Sequence, residues 1–279
     1  MAKKLLAGFR LAVLAGIVFL NWLLIALCLA LFGMPDATAS FVAAIIEAAL
    51  FALAFTPAGE TYFRLVNRLR PAFPGEEEVL RPALQRVVAR CGLTWMPELF
   101  VQQNAHLNAV AVGTRTIAVT EGLLYGVTLE ELEAVLAHEV AHLLNGDTRV
   151  RLMASVVNLA GSISLWAVTA FMAFMSFIGF TFGEWNRELS GIGWLFLIFA
   201  WTIKAAVWLL TKVLELSYLA VNRHEEFAAD EYAARKGYRD ALISFLNRVP
   251  DGAPGGLAAL YATHPSPEAR IARLVQFGG

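Results

Sequence analysis

Cysteine is scarce in this chain: two in 279 residues, Cys28 inside an apolar run and Cys91 in a polar segment. That pair builds no disulfide framework, and the polar part of the chain fits a reducing compartment. Charge is scarce as well. Asp, Glu, Lys and Arg make up 16% of the residues, where soluble domains carry about 25%. The two signs nearly cancel, at a net −1, which removes the basic surface that nucleic-acid binding needs. Internal repeats and low-complexity tracts are absent, which sets aside solenoids and linker-like chains. Histidine is rare, with five residues in the whole chain.

What the chain has in excess is apolar surface, 58% of residues and a mean hydropathy of +0.60. A bilayer crossing needs about 20 apolar residues, and four runs qualify: 11–32, 37–56, 152–180 and 192–219. Gly33-Met34-Pro35-Asp36 breaks the first two, and Gly183-Glu184-Trp185-Asn186-Arg187 separates the last two. The expected fold is a mainly α membrane protein: a transmembrane hairpin over 1–57, a polar segment over 58–151, a second hairpin over 152–219 and a polar segment over 220–279. The polar segments total about 155 residues, enough for one domain built from both. Lys3 and Lys4 before an apolar run imitate a signal peptide. The run is too long for one and a second span follows at once, so it reads as a retained anchor.

Orientation follows from Lys and Arg. The N-terminal tail carries Lys3, Lys4 and Arg10, the 57–151 segment nine arginines, and the chain from 220 onward seven Lys and Arg, whereas the two inter-span turns carry only Arg187. Both termini and the polar domain are therefore expected in the cytoplasm, with Trp185 and Trp194 near the outer interface.

Within the first polar segment lies "EAVLAHEVAHLLNGD", 133–147. Thr128 and Glu131 form a capping-box start, apolar residues recur at helical spacing, and Asn145-Gly146 is a stop signal, which predicts a helix over 129–144. One turn apart, His138 and His142 share a face and can reach one ion together. Glu139 borders that face, placed to hold a water as general base. H-E-x-x-H is short enough to arise by chance. Two of only five histidines falling in it raise its weight. A catalytic zinc takes three protein ligands and one open position, so a third ligand must come from elsewhere. "NRHEEFAADEYAARKGY", 222–238, offers Glu226 and Asp230 four apart, the acid at 230 suited to orient a ligand histidine through its other ring nitrogen. Glu225 competes with Glu226, or closes an N-x-x-E cap with Asn222. The alternative is a solvated acidic helix face.

Taken in order, these motifs resemble the HtpX-type integral-membrane zinc metallopeptidases, a family that also contains the CAAX prenyl proteases. "NAVAVG" (108–113) and "IAVTEGLL" (117–124) are similar to its edge-strand region, "AHEVAHLLNGD" to its zinc helix, "NRHEEFAAD" to its R-E-F-x-A-D element, and "THPSPEARIARL" (263–274) to its ending, in which H-P is followed by R-I. The resemblance implies a zincin-like α+β domain with a small sheet, one Zn2+ per chain on His138, His142 and Glu226, and Asp230 behind a ligand. It implies Glu139 as general base and His264 as donor to the oxyanion. Arg270 either stabilises the His264 loop or pairs with an acid near the site. Substrate is expected as an added strand on backbone groups of Asn108 and Ala109. The implied role is an endopeptidase of a bacterial inner membrane acting on membrane-protein or unfolded polypeptides in quality control. A prenyl-protein protease and a weakly catalytic zinc-binding scaffold are the alternatives. His106 and His224 are expected to be structural or solvent-facing rather than ligands. Inside the spans, Glu47 and Lys204 are expected to approach each other, because intramembrane charges tend to pair; the alternative is a snorkelling Lys204 and a protonated Glu47.

Overall fold

Long apolar runs without a breaker become helices, since a bilayer offers the backbone no hydrogen-bond partners. In the computed structural model these are α1 (Ala2–Leu31), α2 (Asp36–Ala54), α7 (Asp147–Gly183) and α8 (Arg187–Ala233). Their apolar windows, Leu14–Leu31, Asp36–Ala54, Ser155–Gly183 and Gly191–Leu210, are each long enough to cross a membrane. Residues 2–183, 187–249 and 265–276 are described. Trp185, the 184–186 link, the 250–264 segment and His264 lie outside them.

The chain divides into two units. The first, Met1–Leu53 with Ala154–Tyr218, holds the apolar helices. Gly33, at φ 93, turns the chain between α1 and α2. Helices in lipid pack through small and polar residues, and this unit does so. Asn21 Nδ2 donates to Asn158 Oδ1 at 2.8 Å, and Gly161 leaves the space that Asn21 fills. Trp22 Nε1 donates to the Ser40 carbonyl at 3.0 Å. The expected meeting of Glu47 and Lys204 is not found. Glu47 is buried with neither carboxylate oxygen hydrogen-bonded, and Lys204 is exposed on α8. The turn of α8 that packs inward contributes Ile203, which leaves the next residue facing out.

The second unit, Ala54–Met153 with Leu219–Gly279, adds α3 (Pro57–Val66), β1 (Leu69–Pro71), α4 (Pro74–Cys91), β2 (Glu98–Gln102), β3 (Ala109–Val112), β4 (Thr116–Thr120), α5 (Glu121–Gly126), α6 (Leu129–Asn145), a π turn over Ala234–Tyr238, α9 (Arg239–Leu246) and α10 (Pro267–Gln276). The sheet is mixed, in the order β1-β2-β4-β3. The β2–β4 pair is parallel, while β1–β2 and β3–β4 are antiparallel. Helix α6 lies at the centre, packed on α4, α9 and β3, in a core that includes Leu80, Leu84, Val101, Ile117, Leu136 and Leu242.

The α6 bounds follow from its caps. Thr128 Oγ1 accepts from Glu131 N–H at 3.2 Å, Glu131 Oε2 accepts from Thr128 N–H at 2.9 Å, and Gly146 closes the helix at φ 79. Glu131 also accepts from Ser244 at 2.7 Å and Arg248 at 2.6 Å, so the cap tethers α9. One sequence expectation is corrected. Helix α8 runs unbroken through Asn222, so Asn222 and Glu225 do not start a helix; the apolar span simply continues into the acidic segment.

Candidate metal centre

Every residue of α6 from Glu131 to Leu143 is buried. A helix hidden on all sides has few uses for polar side chains unless each has a partner. Glu131 has its cap and α9 contacts, and Glu133 has Arg86 Nε at 2.5 Å and the Tyr238 hydroxyl at 3.4 Å. The other three are His138, Glu139 and His142, at 4%, 7% and 4% exposure.

Helix α8 brings a second pair one turn apart, Glu226 at 0% and Asp230 at 2% exposure. The two helices meet through these faces. His138 Nε2 and His142 Nε2 are 3.2 Å apart, His138 Nε2 is 3.4 Å from Glu226 Oε2, and His142 Nε2 is 3.3 Å from Glu226 Oε1. Tetrahedral ligands about 2.0–2.1 Å from a zinc ion stand about 3.3–3.4 Å from one another, so this near-equilateral triangle has the dimensions of a three-ligand face. The donor set, two imidazole nitrogens and one carboxylate, suits zinc and leaves a fourth position open. Among the described residues His138, His142 and Glu226 form the one group of three that converges this way. Glu225, half-buried beside them in sequence, is not in it.

Behind the triangle, His138 Nδ1 is 2.9 Å from Asp230 Oδ1. A carboxylate only accepts, so Nδ1 carries the hydrogen and Nε2 of the neutral ring presents its lone pair to the centre. Arg270, from α10, grips Asp230 with two bonds, Nε to Oδ2 at 2.8 Å and Nη2 to Oδ1 at 2.5 Å. Its Nη1 lies 3.8 Å from Glu226 Oε2. Burial opposes ionisation of Asp230, but the Arg270 charge, its two bonds and the bond from His138 hold the carboxyl well below the usual range. Burial likewise opposes the Arg270 charge, and Asp230, Glu226 and Glu139 outweigh it and push its pKa up. For His138, burial favours the neutral ring, while the bonds to Asp230 and Glu226 raise its pKa overall; an ion bound at Nε2 competes with that proton.

Of the two places open to Arg270, the structure shows the second: it pairs with an acid at the site, Asp230. Glu139 sits beside His138 on α6, near enough for its charge to act on Arg270. Helix α10 starts at Pro267, with Ser266 Oγ accepting from Ala269 N–H at 3.3 Å. His106 and His224 are exposed.

Strand β3 is an edge of the sheet. Alternate residues of an antiparallel strand turn their backbone groups to the partner. Asn108 belongs to the set turned inward: its N–H donates to Thr120 Oγ1 at 3.0 Å and its carbonyl accepts from Thr120 N–H at 2.9 Å. The expectation that Asn108 offers backbone groups to an added strand is corrected accordingly. Ala109 falls in the outward set, and Ala111 joins it.

Three residues that position this edge were missed in the sequence. Thr120 Oγ1 caps α5 through Leu123 N–H at 3.2 Å and contacts the His106 carbonyl at 2.5 Å. Thr148, just past α6, donates its hydroxyl to the Gly113 carbonyl at 2.6 Å while its backbone carbonyl accepts from Gly113 N–H at 3.3 Å, fixing the β3–β4 turn. Glu60 on α3 takes Thr114 N–H at 2.7 Å and the Thr116 hydroxyl at 2.6 Å. The only sequence signal was Gly113, whose φ of 64 and contact with Glu60 admit no side chain.

The model of Peptidase family M48 matches residues 74–277. A protease HtpX homolog of Acaryochloris marina (strain MBIC 11017) is 35% identical over 229 residues, 73% of this chain and 73% of that protein. Protease HtpX of Shewanella halifaxensis (strain HAW-EB4) is 30% identical over 200 residues, 64% of this chain and 67% of that protein. The crystal structure of S. mikatae Ste24p matches 98% of this chain and 65% of that one at 17% identity, with a TM-score of 0.44. The chain belongs to peptidase family M48, among the HtpX-type membrane metallopeptidases.

Proposed function

We propose that the chain is a zinc endopeptidase of the bacterial inner membrane that cleaves membrane-protein or unfolded polypeptides in quality control. Its polar domain, formed from 58–151 and 220–279, and both termini lie in the cytoplasm. The observation that carries the reading is the buried His138–His142–Glu226 triangle with 3.2–3.4 Å sides. His138, His142 and Glu226 would hold a zinc ion, which would supply Lewis acidity for the scissile carbonyl and for water near neutral pH. Glu139 accepts the proton of the attacking water and delivers it to the leaving amine. Asp230, braced by Arg270, holds His138 in the ligating tautomer. Substrate adds as a strand along β3, on the outward backbone groups of Ala109 and Ala111. His264 donates to the oxyanion, a role taken from the resemblance of its stretch His264-Pro265 to Arg270-Ile271. The Arg-rich polar segments and Arg-poor inter-span turns support the cytoplasmic placement.

The test is the Glu139→Gln variant of the full chain in detergent, assayed for zinc and for cleavage of an unstructured polypeptide. Zinc is expected to remain at the wild-type level and cleavage to fall by about 100-fold or more. Undiminished cleavage contradicts the proposed base.

A further inference from the structure

Two ionisable side chains in the apolar helices have no role in the metal centre. Glu47 lies on α2, 6% exposed, with both carboxylate oxygens buried and no hydrogen-bond partner. Lys204 lies on α8, exposed, and takes part in no ion pair among the described residues. A charge in hydrocarbon is retained where a partner satisfies it, and within one chain these two do not meet.

A groove of about 470 Å3 runs beside Glu47, lined among the described residues by α1 and α2, with Val18, Phe19, Trp22, Ala44, Ala48 and Phe51 as its apolar walls. An apolar channel with an acid in its lining matches a lysine, which has a four-carbon apolar stem and a cationic tip. The depths agree as well. With each apolar helix crossing once, α2 and α8 run in the same direction. Glu47 is eleven residues beyond Asp36, where the α2 window starts, and Lys204 is thirteen beyond Gly191, where the α8 window starts. At the helical rise those offsets are about 16 and about 20 Å, a mismatch within a lysine's reach.

We propose that Lys204 of one copy enters this groove on a second copy and pairs with Glu47, making the membrane unit a homodimer contact. In a two-fold arrangement each copy gives one lysine and takes one, so both charges on both copies are satisfied. Occupancy by a lysine of some other membrane protein is the competing case, and the experiment separates the two.

Full-length chains with Cys28→Ser and Cys91→Ser are co-expressed in membranes, one carrying Glu47→Cys and a first tag, the other Lys204→Cys and a second tag. A bifunctional thiol reagent, whose span replaces the reach of the lysine stem, is expected to give a covalently linked species bearing both tags. Ile163→Cys with Lys204→Cys, both exposed positions, should give none. Absence of the two-tag species, with both chains inserted at the wild-type level, overturns the proposal. A second measurement uses the native cysteines and energy transfer between labelled copies in liposomes. Lys204→Gln is expected to lower the transfer several-fold, and Glu47→Lys combined with Lys204→Glu to restore it. Transfer unchanged in Lys204→Gln overturns it. Neither readout depends on peptidase activity.

Discussion

At the level of single residues, the centre works because each group has one task set by its neighbours. His138 gives Nε2 inward only while Asp230 holds Nδ1–H, and Asp230 stays ionised in a buried place because Arg270 grips both of its oxygens. Asp230→Asn is therefore expected to lower zinc affinity by about 10–100-fold, measured by competition with a chelator, and Arg270→Ala to do the same through Asp230. Equal affinity in all three proteins would remove Asp230 and Arg270 from the account. Much of this was legible in the sequence. The i, i+4 spacings at 138/142 and 226/230 carry directional information, since one helical turn fixes which side chains share a face. Which acid of the Glu225-Glu226 pair turns toward the histidines depends on the helix rotation of α8, a tertiary property. The inward turn of the Asn108 backbone likewise depends on ladder register against Thr120.

At the level of elements, α6 is held by caps and tethers. Thr128→Ala removes one side of the capping box and is expected to cost about 1 kcal/mol of stability, read as a lower thermal midpoint with zinc content kept. The α4 start shows the same logic under acid. Arg70 binds Glu76 at 2.6 and 2.7 Å, and that bond, helped by Phe73 N–H, brings the Glu76 pKa to about 2 against burial. A carboxyl depressed by folding contributes stability in full above its ordinary pKa of 4.5, and that contribution fades as pH falls toward about 2. Arg70→Gln should therefore lower the thermal midpoint at pH 6 and converge on the wild type as pH falls. A difference that widens in acid would contradict the assignment. Helix existence was legible here, since Thr128-x-x-Glu131 and Asn145-Gly146 are local signals. The clamp between Thr148 and Gly113 was not, because it joins residues 35 apart.

At the level of the whole molecule, four apolar helices and a small mixed sheet are one chain's answer to two solvents. The apolar windows were legible from composition, because lipid selects length and hydropathy directly. The pairing inside the membrane was not: Glu47 and Lys204 are both rare charges in apolar helices, but the sequence does not say which faces the bundle. A zinc ion on His138, His142 and Glu226 would join segments some 80 residues apart in sequence, so treatment with a chelator is expected to lower the thermal midpoint of the polar unit, with recovery on adding zinc back.

His138, His142 and Glu226 are proposed to hold one zinc ion. The zinc content of the purified full-length wild type, beside Glu226→Ala and Glu225→Ala, decides this. One zinc per chain is expected in the wild type and in Glu225→Ala, and none in Glu226→Ala. Zinc kept by Glu226→Ala and lost from Glu225→Ala would contradict the account.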